Sequence, residues 1–322
     1  MSSDQFRIVF MGTPVAAAAT LDTLLGGPDP VVGVVTQPDR PVGRGQKTVP
    51  SPVRVVAQDH GIPVLTPQKM TDPLLLEQLR DWAPDLMVVV AYGRILPQII
   101  LDLPPLGCVN VHYSLLPKYR GAAPMQWALL SGDSVTGVTT MLLVAKMDAG
   151  PLLLQETVPV DPRDTTPSLQ EKLVPVGAQL LLKTIEGLKA GSVASTAQDE
   201  EAVSFAAILK KEDGLIDWSQ SAQEIDRRIR AFTPWPSAFT HYEGKLVKIH
   251  DARPVDTSAT DAPGTIVKAQ GKDLWIVTGD GVLSVDALQL AGKNRMSTEV
   301  FLRAGKLEQG RCFERSTQDN GS

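Results

Sequence analysis

The sequence predicts an α/β protein in which a mostly parallel sheet domain precedes a small antiparallel β-barrel domain. Two observations predict this fold class. Through the first half of the chain, short apolar runs rich in β-branched residues alternate with segments of helical composition, which is typical of a parallel sheet covered on both faces. Beyond position 237, short strand patterns follow one another with only turn residues between them, which favours a small antiparallel barrel or sandwich.

The predicted elements of the first domain follow one another in a regular order. Apolar runs predict strands over residues 7–12, 31–37, 85–93, 107–114 and 137–144. Helical composition predicts helices around residues 15–25, 52–60, 72–82 and 124–131, and a longer helix over 167–189. Ligands of such open sheets bind beyond the carboxyl ends of the strands, so a site is expected there.

A change in composition marks the predicted domain boundary. The small, polar segment after the long helix reads as a linker over residues 191–208, between a first domain at 1–190 and a second at 209–322. A capped amphipathic helix is predicted within residues 216–232. The strand patterns that follow it lie at residues 238–244, 245–252, 264–271, 273–279 and 281–290.

Composition argues against several classes of protein. The formal charge of −5 offers no general argument for nucleic-acid binding. The only cysteines are Cys108 and Cys312, and the four histidines lack the spacing of metal ligands, so neither a disulfide framework nor a metal site is predicted. No targeting segment or membrane-spanning run is recognised, and nothing suggests an obligate oligomer, so a cytoplasmic monomer is expected.

The stretch "NVHYSLLPKYRG", residues 110–121, carries the candidate catalytic residues. Side chains alternate along a strand, so Asn110, His112 and Ser114 share one face at the end of an apolar run. The Cα atoms of Asn110 and His112 are roughly 6–7 Å apart in a strand, which lets both side chains direct N–H groups at one oxyanion. The alternative, that His112 is a satisfied core residue, stays open.

Asp148, in "KMDAGPLLL", is the candidate partner of His112. It lies where a predicted strand gives way to an Ala-Gly-Pro loop. A carboxylate at this place would raise the pKa of His112 and accept a proton through water from an attacking amine. The alternative is an aspartate that only caps a turn.

A long basic loop, "QPDRPVGRGQKTVP" at residues 37–50, joins a predicted strand to a helix. It exceeds the ~2–6 residues usual for such connections, and it carries Arg40, Arg44 and Lys47. Loops of this kind are often functional, and a solvated surface insertion is an equal alternative. Neither "MGTP" at residues 11–14 nor "GRG" at 43–45 has the glycine pattern and context of a dinucleotide site.

These residues resemble a known family. "NVHYSLLPKYRGAAPMQW" at residues 110–127, together with Asp148, resembles the folate-dependent formyltransferases. "FMGTP", "TQPDRPVGRG", "LKKEDGLIDW" and "IRAFTPWPSAFT" are similar to the branch of that family that acts on methionyl-tRNA, and the resemblance runs from Arg7 to about Arg311. It implies a Rossmann-like catalytic domain, an OB-like tRNA-binding domain, and transfer of a formyl group from 10-formyltetrahydrofolate to the α-amino group of methionyl initiator tRNA.

The resemblance also implies roles for individual residues. Asn110, His112 and Asp148 match the family's catalytic triad, in which Asn110 and a protonated His112 would hold the oxyanion while Asp148 keeps His112 charged. The positions that match the folate-binding segments are Ser114, Leu115, Leu116, Pro117, Arg94, Ile95 and Leu96. The expected tRNA contacts, from the basic loop and from other basic clusters, are Arg40, Arg44, Lys47, Lys210, Lys211 and Arg295. No metal is implied.

Four positions depart from the family pattern. Val15 and Ala16 follow "GTP" where Glu-Phe is usual, and Ile208 and Thr233 stand where lysine and asparagine are frequent. These departures put the shape of the methionyl pocket and particular tRNA contacts in question. Formylation of a small amine, either a sugar nucleotide or glycinamide ribonucleotide, by the same triad stays open. A noncatalytic RNA-binding protein with this fold is the rival from another class.

Overall fold

The computed structural model describes residues 5–42, 47–303, 305 and 307–314, which form two compact units. Unit 1 consists of the described part of Met1–Pro124, with Val135–Pro159 and Gln170–Ala207. Unit 2 consists of Met125–Ser134, Val160–Leu169 and the described part of Ile208–Ser322. Because each unit draws on separate stretches of the chain, the domain limits expected at residues 190 and 209 stay a prediction.

The described part of unit 1 contains a seven-stranded main sheet and two short two-stranded sheets. Its strands are β1 (Ile8–Gly12), β2 (Val31–Val35), β3 (Arg40–Val42), β4 (Lys47–Val49), β5 (Val64–Leu65), β6 (Leu86–Val90), β7 (Cys108–His112), β8 (Arg120–Gly121), β9 (Val135–Leu142), β10 (Leu152–Pro159) and β11 (Phe205–Ala206). The main sheet has the order β10–β9–β7–β6–β1–β2–β5. The strands β7, β6, β1, β2 and β5 run parallel to one another. β9 runs antiparallel to β7, and β10 runs antiparallel to β9. The predicted mostly parallel sheet is confirmed.

The apolar runs explain which strands occupy the centre of the sheet. Every residue of β1, β6 and β7 is buried, as continuous apolar strands of a parallel sheet require. In β7 the polar exceptions are Asn110 and His112. The sequence analysis did not predict β10, because Gln155, Glu156 and Thr157 in it are exposed and give no apolar signal.

Six of the eight described α-helices coincide with predicted helical segments, and two short ones, over Gln98–Leu101 and Thr298–Arg303, were not predicted. They are α1 (Val15–Leu25), α2 (Pro52–Asp59), α3 (Pro73–Asp81), α4 (Gln98–Leu101), α5 (Pro124–Ser131), α6 (Thr166–Ala190), α7 (Ala222–Ala231) and α8 (Thr298–Arg303). Both α2 and α3 begin with proline after a capping side chain, Ser51 or Asp72, which accepts a bond from a main-chain N–H of the first turn. Within the described ranges, no helix is both long and apolar enough to cross a bilayer.

Unit 2 contains a separate antiparallel sheet. Its strands are β12 (Ala238–Tyr242), β13 (Lys245–Val255), β14 (Ile266–Gln270), β15 (Asp273–Val277), β16 (Val282–Leu290) and β17 (Met296–Ser297). They are ordered β12–β13–β16–β15–β14, with β17 paired to β16. A capping box of Ser221 and Glu224 starts α7, and this helix buries Ile225 and Ile229 in the core of the unit. The predicted antiparallel second part of the fold is confirmed.

Residues 196–206, here called the strap, belong to unit 1 and not to a bare linker. Thr196 forms an isolated bridge with Leu152, residues Glu200–Ala202 form a 3-10 helix, and β11 pairs in parallel with β8. The small, polar composition of residues 191–208 predicts a linker and gives no sign of this structure. The reason is that the strap is held by main-chain pairing and polar contacts, which leave no apolar pattern in the sequence.

Candidate active site

Asn110 and His112 lie on β7, where the parallel part of the sheet meets its antiparallel edge. β7 is paired with β6 on one side and with β9 on the other. Only 9% of the Asn110 surface and 6% of the His112 surface are exposed. The Asn110 amide makes no hydrogen bond to any residue that the structure describes. Its N–H donors are therefore available to a ligand.

The imidazole of His112 is held between a carbonyl and a carboxylate. Its Nε2 lies 2.9 Å from the carbonyl oxygen of Tyr119, and its Nδ1 lies 3.8 Å from Oδ2 of Asp148. Because a carbonyl oxygen only accepts, this bond places a proton on Nε2. The tautomer thus follows from the local geometry.

Burial decides the charge of His112 in the free protein. Burial lowers the pKa of His112 below its usual value, and the Asp148 carboxylate and the Tyr119 carbonyl, which both raise that pKa, offset the effect only in part. The direction of this pKa shift favours the neutral imidazole in the free protein. The expectation that Asp148 keeps His112 charged stays a prediction, which this direction does not support, because the cost of burying an imidazolium opposes the attraction of one nearby carboxylate.

Asp148 does more than cap a turn. It has a left-handed main-chain conformation, with φ of +49°. Its Oδ2, the oxygen that faces His112, accepts a hydrogen bond of 2.8 Å from the N–H of Gly121. Gly121 is itself restricted, because it has φ of +129° and a Cβ there would lie 2.4 Å from the carbonyl oxygen of Ala206. The carboxylate is thus fixed beside the imidazole from the side of β8.

The segment Ser114–Pro117, expected to bind folate, follows β7 and is held by a central hydroxyl. Thr139 Oγ1 donates to the carbonyl of Ser114 at 2.7 Å and accepts from the N–H of Leu116 at 3.1 Å. Gln155 Nε2 donates to that hydroxyl at 2.9 Å and to the carbonyl of Leu116 at 2.8 Å. The sequence analysis missed Thr139 and Gln155. Their place beside the segment arises from pairing of β9 with β7 and of β10 with β9.

The main chain after β6 turns sharply toward the same edge of the sheet. Ala91 and Gly93 both have positive φ, at +44° and +77°. The side chains of Gln37 and Thr13 donate to the carbonyl of Tyr92, at 2.7 and 3.2 Å. These bonds hold the turn that precedes the second predicted folate segment.

Arg94, Ile95 and Leu96 present hydrogen-bonding groups of the main chain. Within the described chain, the main-chain groups of these three residues make no hydrogen bond. The Arg94 side chain anchors the segment by donating to the carbonyls of Pro67 and Gln68, at 3.1 and 2.7 Å. The Ile95 side chain is 83% exposed. The open main chain suits a flat heterocycle with several donors and acceptors.

The residues expected to contact tRNA fall in two parts of the chain. Arg40 and Lys47 lie in β3 and β4, which pair as a short antiparallel hairpin, and Arg44 lies outside the described residues. In unit 2, three expected contacts are exposed: Lys210, Lys211 and Arg295. These assignments stay predictions.

The departures from the family pattern occupy different environments. Val15 is 65% exposed at the start of α1, whereas Ala16 is buried. In unit 2, Ile208 is exposed and Thr233 is half-buried. Val15 and Ile208 therefore remain accessible to a ligand, and Ala16 serves packing.

Two family descriptions match the chain. Residues 6–185 match the family described as "Formyl transferase", and residues 208–306 match "Formyl transferase, C-terminal domain". The chain is 51% identical, over 94% of its length and 93% of the relative's, to the methionyl-tRNA formyltransferase of Desulfotalea psychrophila. It is 47% identical, over 94% of its length and 97% of the relative's, to the methionyl-tRNA formyltransferase of Geobacter metallireducens.

Two solved structures share the fold at low identity. An N-formyltransferase from Helicobacter canadensis, in complex with folinic acid and dTDP-3-aminofucose, has a TM-score of 0.65 at 18% identity, over 87% of this chain and 99% of that one. HypX from Aquifex aeolicus, in complex with tetrahydrofolic acid, has a TM-score of 0.61 at 18% identity. The match covers 93% of this chain, which spans 47% of the HypX chain.

Proposed function

The chain belongs to the formyl transferase family, and we propose that it transfers the formyl group of 10-formyltetrahydrofolate to the α-amino group of methionyl initiator tRNA. The observation that carries the proposal is the meeting of Asn110, His112 and Asp148 at the end of β7, with a free amide next to a neutral imidazole and a fixed carboxylate. The full-length likeness to two methionyl-tRNA formyltransferases supports the choice of acceptor.

The segments around the triad fit the formyl donor. The unbonded main chain of Arg94, Ile95 and Leu96 would hold the pterin ring through its donors and acceptors. Ser114–Pro117, held by Thr139 and Gln155, would form a second wall of the same site. When bound, the donor supplies an activated formyl carbon attached to nitrogen.

Asn110 would stabilise the charge that develops on the formyl oxygen as the amine attacks. Its side-chain amide lies on a largely buried residue and has no partner among the described residues, so its N–H donors are already free for the developing oxyanion. This role is the part of the sequence-based proposal that the geometry supports most directly.

We propose that His112 and Asp148 act as a pair that takes up one proton. The neutral imidazole next to a carboxylate can accept the proton that the amine loses on attack, directly or through water, and the resulting imidazolium is stabilised by Asp148. The proton then returns to the nitrogen that leaves with the folate. In this order of events His112 starts neutral, whereas the family resemblance implies a His112 that is charged from the start.

The proposed tRNA contacts lie in two parts of the chain. The hairpin of β3 and β4 and the exposed Lys210, Lys211 and Arg295 are our proposed tRNA contacts. A cytoplasmic, monomeric enzyme is part of the same proposal.

Formyl transfer from 10-formyltetrahydrofolate should be measured with several acceptors side by side. These acceptors are methionyl initiator tRNA, methionyl elongator tRNA, uncharged tRNA, glycinamide ribonucleotide and an amino sugar nucleotide. We expect formylation of the methionyl initiator tRNA and little of the others. If only a small amine were formylated, the proposed tRNA acceptor would be wrong and the small-amine alternative would hold. Tight tRNA binding with no transfer to any acceptor would favour a noncatalytic RNA-binding protein.

A further inference from the structure

The loop that carries Asp148, residues 143–150, is here called the catalytic loop, and it has little support of its own. It contains no helix or strand. The main-chain bond described within it, from the Ala149 N–H to the Lys146 carbonyl, is 3.3 Å long. Asp148 also has a left-handed conformation, which a non-glycine residue keeps only when its surroundings enforce it. The support must come from outside the loop.

Gln198, in the strap, supplies that support. Its Nε2 lies 2.8 Å from the carbonyl oxygen of Asp148 and 2.7 Å from the carbonyl oxygen of Gly150. A primary amide has two N–H donors, so each carbonyl receives one of them. The two carbonyls flank Ala149, and the amide therefore fixes the turn in which Asp148 lies.

A buried arginine fixes the orientation of the Gln198 amide. Oε1 of Gln198 accepts a hydrogen bond of 3.0 Å from Nε of Arg120, which is only 1% exposed. The oxygen of the amide thus faces the guanidinium and its nitrogen faces the loop. Arg120 also donates to Glu200 at 2.8 Å, and hydrogen bonds from Arg120 and Lys146 lower the pKa of Glu200 to about 2. The strap therefore holds Arg120 through the ionised carboxylate of Glu200.

We propose that Gln198 is a positioning residue for Asp148, whose amide holds the catalytic loop so that the Asp148 carboxylate stays beside His112. The Gly121 N–H holds the carboxylate itself, and Gln198 holds the main chain that bears it. The inference rests on the proposed function, because it concerns the pair that accepts the amine proton.

Two variants separate the donor role of Gln198 from its acceptor role. Gln198→Glu keeps an oxygen for Arg120 but loses both N–H donors, and Gln198→Met loses both functions without adding charge. We expect kcat for formyl transfer to fall ~10- to 100-fold in each, because a misplacement of ~1 Å has an effect of that size. We expect KM for both substrates to stay within about twofold, since the lost interaction acts in the transition state.

Asp199→Ala is the matched control in the strap. The Asp199 carboxylate caps the following 3-10 helix by accepting from the N–H of Glu201 at 3.0 Å, and this contact does not reach the catalytic loop. We expect wild-type kcat and KM for this variant.

Titration of His112 by NMR gives a readout that is independent of activity. The carboxylate that faces His112 is Asp148, and the other charged groups around the catalytic loop are Arg120, Lys146 and Glu200. Asp148 raises the pKa of His112, so its displacement in Gln198→Met should lower that pKa further. His112→Asn would identify the signal among the four histidines.

Three results would overturn the inference: wild-type kcat in both Gln198 variants, an increased KM with unchanged kcat, or an unchanged pKa of His112 in Gln198→Met. Failure of the proposed function is distinguishable from these results. If the wild-type protein formylates no tRNA, the assignment of the acceptor fails, and the NMR titration still decides whether Gln198 positions Asp148.

Discussion

Asn110 and Cys108 lie two residues apart on β7, so their side chains share one face of the strand, but only Asn110 carries donors for a substrate oxygen. We expect Asn110→Ala to lower kcat for formyl transfer ~10²- to 10³-fold, the usual effect of removing one preorganised oxyanion donor. Cys108→Ala should keep wild-type kcat, because the hydrogen bonds of the thiol within the described chain go to the main-chain carbonyls of Ile100 and Leu101 and not to the candidate triad. Steady-state rates and thermal unfolding of both variants test this. Equal kcat in Asn110→Ala and wild type would remove Asn110 from the mechanism.

The pH dependence of the rate reports on His112. If the neutral imidazole accepts the amine proton, activity is lost as the pH falls through the lowered pKa of His112. Asp148 raises that pKa, so Asp148→Asn should move the acid limb of the kcat/KM profile to lower pH while reducing the maximum by about 10² or more. Profiles of both proteins with the same acceptor isolate the enzyme's contribution, because the amine titrates identically in both. An acid limb at the same pH in both would contradict the pairing.

At the scale of elements, the catalytic loop passes very close to β9. A Cβ on Gly150 would lie 1.7 Å from the carbonyl oxygen of Leu142, so Gly150→Ala must displace the loop. We expect kcat to fall by about 10², with a lower melting temperature. Gly26→Ala, at the end of α1, is the matched control, because a Cβ there would lie 3.4 Å from its nearest atom, the carbonyl oxygen of Thr23, and would fit without a clash. Comparable activity and melting temperature in the two variants would show that the loop tolerates displacement.

The segment Val160–Leu169 is tied to α7 by a buried ion cluster in unit 2. The Asp226 carboxylate accepts from Arg230 Nε at 2.8 Å and from Arg163 Nη1 at 3.1 Å, and Arg230 also donates to the carbonyl of Asp164 at 2.8 Å. Asp226→Ala would leave the largely buried Arg230 without its carboxylate partner, which typically costs ~3–5 kcal/mol. Urea unfolding of the transition assigned to unit 2 would measure this loss.

The control for that measurement is an exposed ion pair of the same unit. Arg303 donates to Glu299 on the surface of α8, and such pairs contribute about 0–1 kcal/mol. We therefore expect Glu299→Ala to leave the unfolding midpoint nearly unchanged. If Asp226→Ala behaves like Glu299→Ala, the cluster contributes little to the stability of unit 2.

For the whole molecule, tRNA binding has to overcome a net charge of −5. Contacts would come from local basic clusters, so the dissociation constant should rise steeply with salt, in proportion to the number of phosphates neutralised. Removing Lys210, Lys211 and Arg295 together should weaken binding and reduce the slope of log K against log salt by about one for each lost contact. Lys268→Ala is the control, because Lys268 already pairs with Asp273. Salt-insensitive binding would contradict a contact dominated by phosphates.

The sequence predicts the α/β class and the antiparallel second part because both follow from local periodicity. It also predicts Asn110 and His112 as neighbours, since the two-residue repeat of a strand places them on one face. It did not predict Thr139, Gln155 or Gln198, whose partners lie between 16 and 78 residues away along the chain. No local pattern marks such residues.

The sequence by itself determined most of the elements, the candidate triad and the likeness to the formyl transferases, because these depend on residue types at short, fixed spacings. The tertiary structure decided the burial of His112 and the place of Asp148. Burial lowers the pKa of His112. That burial depends on all the elements packed around the imidazole, so no single neighbour in the sequence determines it. Asp148 lies beside His112 because Gly121 and Gln198, which the fold brings from distant parts of the chain, hold its carboxylate and its main chain.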